Sequence, residues 1–120
     1  MPNYVDGFVL PLPKKNLAAY TRVAKKASKI WKEHGALDYK ECIAEDFTNK
    51  CGLSFPQGIK SKPGETIVFA YIVYKSRAHR DKVNAAVMKD RRIHALCDPN
   101  DMPFDCQRML YGGFKAIVEI

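Results

Sequence analysis

Hydrophobic and polar positions divide the chain into four segments that alternate with period two and two segments with helical spacing. The alternating segments are residues 4–10, 37–45, 67–74 and 109–120, and helical patterns follow the first and the third. The order strand, helix, strand, strand, helix, strand is the split βαβ duplication of a ferredoxin-like domain. The pattern therefore predicts an α+β fold, βαββαβ, with a four-stranded antiparallel sheet and helices on one face.

Local sequence features set the ends of the predicted helices. The first helix, over about residues 15–33, ends before Gly35, because glycine adopts the left-handed conformation that follows a helix without a Cβ clash. Ser76 is a suitable N-cap for a second helix over residues 77–88. A further short helical piece is expected around residues 91–97.

The remaining segments differ in composition. Residues 46–65 are rich in Gly and Pro, which predicts a long loop or an irregular hairpin extension. The mixed polarity of residues 37–44 predicts a strand that is half exposed or near a sheet edge. Inside the last strand, residues 108–120, the pair Gly112 and Gly113 predicts a bulge or a position where another group comes close.

The third strand, residues 66–74, is apolar almost without interruption. Such a run is typical of a central strand that is covered on both faces. The two helices cover one face, and a chain of 120 residues offers no second helical layer for the other. Burial against a second copy solves this problem, so we expect an isologous homodimer with sheet packed on sheet.

Length and composition are those of a single domain spanning residues 1–120, with 47% hydrophobic residues. No stretch approaches the roughly 20 apolar residues of a membrane span, and the N-terminus lacks the basic and apolar segments of a signal peptide. We therefore expect a cytoplasmic protein without membrane contact. The four cysteines have neither zinc-type nor Cys-x-x-Cys spacing, so no metal or cofactor is expected.

The formal net charge is +7, and much of the excess lies on the first helix. The residues concerned are Arg22, Lys25, Lys26, Lys29 and Lys32. A solvated outer helix face accounts for them. No aromatic residues are interleaved there for base stacking, which disfavours nucleic acid as a partner. Docking of an acidic partner through this Lys-rich helix stays open as an alternative function.

Asp6 is the first candidate catalytic residue. It lies between Tyr4 and Phe8 on one face of the first strand, where an apolar environment raises the pKa of a carboxyl group toward the range of a general base. The alternative is a structural ion pair of Asp6 with Arg80 or Arg108 on a neighbouring element.

The second helix carries further candidates. His79 lies on its inner face, where it is either a second candidate base or a hydrogen-bonded core residue. Arg80 is a candidate anion anchor together with Arg108 and Tyr111, or else one member of a solvated charge cluster.

Aromatic residues are the candidate binding groups. Trp31 fits the buried stripe of the first helix and is expected in the core. If a cavity separates the helix from the sheet, Trp31 also lines it, beside Tyr4, Phe8 and Tyr71. The sequence thus places aromatic side chains around any such cavity.

Distinctive segments at residues 4–8, 31–37, 73–81, 102–105, 108–109 and 111–114 carry a family likeness. In them the chain resembles the YbaA-like family of small, uncharacterised bacterial proteins. The resemblance implies a dimeric α+β barrel, the superfamily that includes small antibiotic-biosynthesis and haem-degrading monooxygenases. The haem-degrading members use a tryptophan on the third strand, where this chain has Phe69 and Tyr71, so haem turnover is disfavoured.

These features predict a homodimer with one aromatic-lined pocket per subunit between helices and sheet. The expected ligand is a small aromatic or anionic metabolite, and any reaction would resemble cofactor-independent oxygenation or isomerisation. Asp6 or His79 would then be the general base and Arg80 or Arg108 the anion stabiliser. The alternative is a non-catalytic module that binds a ligand or docks an acidic partner.

Overall fold

A computed structural model describes residues 2–48 and 50–120 of the chain. The strands are β1 (Tyr4–Pro13), β2 (Asp38–Ile43), β3 (Glu65–Tyr74) and β4 (Leu110–Lys115). The helices are α1 (Leu17–Glu33), α2 (Phe55–Ile59), α3 (Arg77–Met88) and α4 (Arg91–Leu96), with 3-10 turns at Lys14–Asn16 and Cys106–Arg108. The strands form one antiparallel sheet in the order β2-β3-β1-β4. The predicted ferredoxin-like α+β fold is confirmed, and β2 lies at a sheet edge as expected.

Helices α1, α3 and α4 pack on one face of the sheet, which we call the helix face. Their apolar stripes meet alternate residues of β3, because side chains of a strand point to opposite faces in turn. The buried cluster contains Ala27, Ile30, Ile72, Tyr74, Val83, Val87 and Ile93. Full burial of one such Val, Leu or Ile side chain is worth about 1.5–3 kcal/mol, so this layer anchors the helices that carry the candidate site.

The basic residues of α1 lie on its outer side. Lys25, Lys26, Lys29 and Lys32 are all exposed, whereas Ala27 on the same helix is buried. This arrangement agrees with a solvated outer face. Helix α1 has 17 residues and is amphipathic. None of the helices in the described residues is both long enough and apolar enough to cross a membrane.

The predicted last strand is too long. It was expected over residues 108–120, but β4 ends at Lys115, which pairs with Tyr4 at the start of β1. Among the described residues β1 begins at Tyr4, so the pairing of the two strands ends here. Ala116 still donates its backbone N–H to the Asn3 carbonyl at 3.0 Å, and the apolar side chains that follow are exposed. The alternation of residues 116–120 therefore does not correspond to a paired strand in the part of the chain that the structure describes.

The segment expected to be a loop contains the short helix α2. Ser54 and Gln57 form a capping box, in which each side chain accepts a hydrogen bond from the other residue's backbone N–H. The ring of Phe55 packs against Phe47 at 5.9 Å and against Phe69 at 6.3 Å between centroids. This segment therefore covers the β2 side of the sheet face opposite the helices, which we call the open face.

The rest of the open face is an apolar, concave surface. It forms a depression of about 520 Å³, lined mainly by Val5, Gly7, Val9, Phe69, Tyr71, Leu110, Gly112 and Phe114. Gly7 and Gly112 pair directly, and the ring of Phe114 lies 3.5 and 3.7 Å from where their Cβ atoms would be. Leu110 and Phe114 remain 59% and 63% exposed. An apolar surface of this kind is typical of an interaction site.

Candidate functional site

Asp6 forms a buried ion pair with Arg80. Asp6 lies on the helix face of β1 and is 1% exposed, and the Arg80 side chain on α3 is 14% exposed. Arg80 Nη1 donates to Asp6 Oδ1 at 2.7 Å, while its Nε donates to Asp81 Oδ1 at 2.8 Å. Of the two ion pairs that the sequence left open for Asp6, the structure has the one with Arg80.

Asn84 connects this ion pair to the core. It lies one turn after Arg80 on α3, and its Oδ1 accepts hydrogen bonds from Trp31 Nε1 and the Tyr74 hydroxyl, each at 3.1 Å. The Asn84 side chain also hydrogen-bonds Asp6. Sequence reasoning missed Asn84, although its four-residue spacing from Arg80 on the helix was an available indication.

Burial controls the electrostatics of this cluster. It raises the pKa of Asp6, and Arg80 and the hydrogen bond from Asn84 offset only part of that effect. Burial, followed by the negative charge of Asp6, also raises the pKa of Tyr74, so its hydroxyl stays protonated and donates to Asn84. The carboxylate of Asp6 is therefore held by Arg80 and Asn84.

Tyr4 and Tyr111 flank the outer side of Arg80. The guanidinium carbon lies 4.9 Å from the centroid of the Tyr4 ring, a cation–π geometry. Tyr111 stacks on Phe8 at 4.8 Å between centroids, and its hydroxyl hydrogen-bonds Arg80. The structure thus brings together five of the predicted site residues, namely Tyr4, Asp6, Trp31, Arg80 and Tyr111.

The Tyr4 ring occupies the space above Gly113. A Cβ atom at Gly113 would lie 2.7 and 2.8 Å from ring carbons of Tyr4 and closer still to its hydroxyl oxygen. The pairing of β1 with β4 runs without interruption from Tyr4 with Lys115 to Val9 with Leu110. Of the two expectations for this glycine, close approach of a side chain is therefore confirmed and a bulge is wrong.

Two predicted site residues lie elsewhere. Arg108 donates to Glu65 at 2.7 and 3.0 Å and to the Lys60 carbonyl, at the opposite end of β1 from Asp6. Tyr71 pairs with Gly7 and points to the open face, so its expected place beside Trp31 is wrong. Periodicity shows which residues of one strand share a face. Which of these faces points to the helices depends on the register between the strands.

His79 supports the turn between β3 and α3. Its Nδ1 accepts the backbone N–H of Lys75 at 3.0 Å, and its ring meets Tyr74 edge-on at 6.0 Å between centroids. Its Nε2 lies 3.3 Å from where a Cβ atom of Gly35 would be, and Gly35 has φ +116°. These contacts favour the interpretation of His79 as a hydrogen-bonded core residue.

A second polar cluster, which sequence reasoning missed, lies between α1 and β2. The Tyr20 hydroxyl donates to Glu41 Oε1, and the Tyr39 hydroxyl donates to Glu41 Oε2 at 2.7 Å. We call these residues the Glu41 cluster. Burial and then the charge of Glu41 raise the pKa of both tyrosines, so both hydroxyls remain protonated donors.

The Glu41 cluster separates two cavities under α1. The outer cavity, between α1 and β2, measures about 280 Å³, and the inner cavity, between α1 and the middle of the sheet, about 160 Å³. The outer one is also lined by Leu17, Thr21, Ala24, Lys25, Ser28, Cys42, Ile43 and Val68. The inner one is also lined by Phe8, Leu10, Trp31, Ala70, Ile72, Phe104 and Met109. Both are mainly apolar, with one carboxylate in their shared wall.

The fold places the protein in the ferredoxin-like α+β class. Solved structures with a similar fold match nearly the whole chain. One is a NIPSNAP family protein with unknown function from Agrobacterium tumefaciens, with TM-score 0.59, 14% identity, and coverage of 96% of this chain and 88% of that one. Another is a dimeric ferredoxin-like protein from an uncultured marine organism, with TM-score 0.56, 13% identity and full coverage of both chains. At such identities the likeness concerns the fold alone.

The sequence identifies the family within that class. Residues 3–106 match DUF1428, described as a protein of unknown function, and the chain belongs to this family. It is 40% identical over 116 residues to the uncharacterized protein YbaA of Escherichia coli strain K12, with 97% of each chain covered. The same values hold for YbaA of Shigella flexneri. The family resemblance drawn from the sequence is confirmed.

Proposed function

We propose that this protein is a cytoplasmic homodimer in which each subunit binds a small, largely apolar molecule between α1 and the sheet. The observation that carries the proposal is the pair of adjoining cavities, about 280 and 160 Å³, that share the Glu41 cluster as a wall. Their combined volume lies in the lower part of the range of about 300–1,000 Å³ that is typical of ligand pockets. A molecule with a single aromatic ring fits this space.

The contacts of the arginines favour an aromatic ligand over an anionic one. Arg80 pairs with Asp6 and Arg108 with Glu65, so both predicted anion stabilisers already bind carboxylates. Catalysis by Asp6 or His79 has less support than binding, because both side chains are engaged by neighbouring groups. Docking of an acidic partner through α1 rests only on its exposed lysines.

Filling the outer cavity should weaken binding of a small aromatic probe. Ala24 lines this cavity, and Ala24→Phe places a ring inside it, whereas Ala18→Phe places the same ring on the exposed side of α1. Binding of 2-phenylethanol and 2-phenylethylamine is followed by amide chemical shifts. We expect saturable binding to the unaltered protein and to Ala18→Phe, and affinity about tenfold lower for Ala24→Phe.

Two results would contradict the binding proposal. One is that neither probe shows saturable shifts with the unaltered protein. The other is equal affinity of Ala24→Phe and Ala18→Phe, which would show that the probes do not use the outer cavity on which the proposal partly rests.

The dimer part of the proposal is supported by the open face. Its depression of about 520 Å³ and the exposed side chains of Leu110 and Phe114 leave an apolar surface next to the area that α2 covers. A second copy presents the same apolar surface, and a two-fold arrangement buries both at once. A solved structure of similar fold is described as a dimeric ferredoxin-like protein.

A charge placed on the open face should weaken self-association. In Leu110→Lys the ammonium group would be buried without a partner in the dimer, so we expect a dissociation constant about tenfold higher or more. Met88→Lys is the control, because Met88 is also exposed but lies on α3 in the helical layer. Sedimentation equilibrium measures both. A folded monomer of the unaltered protein at micromolar concentration, or equal constants for the two variants, would refute the dimer.

A further inference from the structure

Glu41 differs from the other poorly exposed carboxylates because it lacks a cationic partner. Asp6 pairs with Arg80, Glu65 with Arg108 and Asp90 with Arg92, each within 2.8 Å. Among the residues that the structure describes, no lysine, arginine or histidine forms an ion pair with Glu41. This is unexpected in a chain with 20 Lys and Arg against 13 Asp and Glu.

The tyrosines satisfy only part of what the Glu41 carboxylate can bind. A carboxylate has about four acceptor positions, and the Tyr20 and Tyr39 hydroxyls use two of them. Both donors are neutral, so the negative charge in this apolar surrounding stays without compensation. Removing a charge from water is unfavourable unless an opposite charge accompanies it. The Glu41 cluster is therefore complementary to a positively charged group in the cavity.

The inner cavity offers space for an aromatic ring next to that charge. Its volume of about 160 Å³ is close to the roughly 150 Å³ of an apolar protein cavity that binds benzene. The rings of Phe8, Trp31 and Phe104 line it. The hydroxyl oxygens of Tyr20 and Tyr39, which donate to Glu41, keep lone pairs that can accept hydrogen bonds from an ammonium group bound there.

We propose that Glu41 makes this cavity selective for a small aromatic cation, a primary arylalkylamine. The ammonium group binds the Glu41 carboxylate between the two tyrosine hydroxyls, and the ring occupies the inner cavity. This inference rests on the proposed function and adds the chemical class of the ligand. Lys25 lines the outer cavity and is exposed, so its charge lies on the solvent side of the bound amine.

Three probes with one ring and similar chains test the charge preference. They are 2-phenylethylamine, 2-phenylethanol and 3-phenylpropionate, which are cationic, neutral and anionic at pH 7. We expect the unaltered protein to bind the amine about fivefold more tightly than the alcohol, and the propionate most weakly. Glu41→Gln keeps the shape of the side chain and removes its charge. In this variant the amine should lose its advantage over the alcohol.

The outcomes separate this inference from the proposal on which it rests. If no probe binds the unaltered protein, the proposed function fails. If amine and alcohol bind equally to the unaltered protein, the cavity binds ligands but selection by Glu41 is wrong, whether or not Glu41→Gln folds. Lys25→Met removes a like charge and should leave amine affinity equal or higher. A loss of amine binding in Lys25→Met would overturn the proposed position of the ammonium group.

Discussion

Replacement of Asp6 by leucine should lower the free energy of unfolding by about 3–5 kcal/mol, the usual cost of leaving one charge of a buried ion pair alone. The charge left behind is the guanidinium of Arg80, whose side chain is 14% exposed and which keeps only its ion pair with the exposed Asp81. The variant also removes the acceptor of the hydrogen bond from Asn84. Urea unfolding measures the effect.

Asp81 provides the matched control for this prediction. It binds the same guanidinium, through Nε at 2.8 Å, but its side chain is 59% exposed. Exposed ion pairs contribute about 0–1 kcal/mol, so Asp81→Leu should cost less than about 1 kcal/mol. Equal losses for Asp6→Leu and Asp81→Leu would contradict the assignment of Asp6 to a buried structural pair.

A double-mutant cycle separates the cost of the lone charge from the value of the pair. Burial raises the pKa of Asp6 even beside Arg80, which indicates that their attraction does not fully offset the desolvation of the carboxylate. Adding Arg80→Met to Asp6→Leu should therefore recover most of the lost stability. Additive losses in the double variant would show that the two side chains act independently.

The second large effect is expected for Gly113→Ala, which should cost about 1–3 kcal/mol through overpacking. The new methyl group would lie 2.7–2.8 Å from ring carbons of Tyr4, so the ring must leave its position over the Arg80 guanidinium. Thermal and urea unfolding measure the loss of stability.

Gly112→Ala is the control for this substitution. It lies in the same strand, and its methyl group would meet only the ring of Phe114 at 3.7 Å, an ordinary van der Waals distance. Gly112→Ala should therefore be close to neutral. Because the backbone contribution of glycine to alanine is similar at both positions, equal stabilities of the two variants would show that the Tyr4 contact has no cost.

Much of the fold was predictable because it depends on local patterns. The order of periodicities gave the topology, and Ser76 gave the start of α3 at Arg77, where the Ser76 hydroxyl accepts the His79 N–H. The wrong predictions concern features that depend on contacts with other segments of the chain. Residues 116–120 alternate like a strand but pair with no strand of the described residues, and α2 is a short helix within a segment rich in Gly and Pro.

The candidate site was predictable only where one residue was chemically unusual for its position. Asp6 among aromatic residues was such a case, and its partner Arg80 was one of two arginines considered. Tyr20 and Glu41 each fit an ordinary pattern, a helix stripe and an edge strand. Their hydrogen bond joins residues 21 positions apart, and periodicity carries no information on such a contact.

The aromatic packing of α2 against β3 has a geometric consequence for any second subunit. Phe47 and Phe55 already occupy the side of the open face next to β2 and meet Phe69 there. A partner sheet therefore fits on the remaining part of the open face, formed by β1, β4 and Tyr71 of β3, around the paired glycines Gly7 and Gly112. Two subunits docked in this way are offset sideways, so that their rotation axis passes nearer to β1 than to the centre of the sheet.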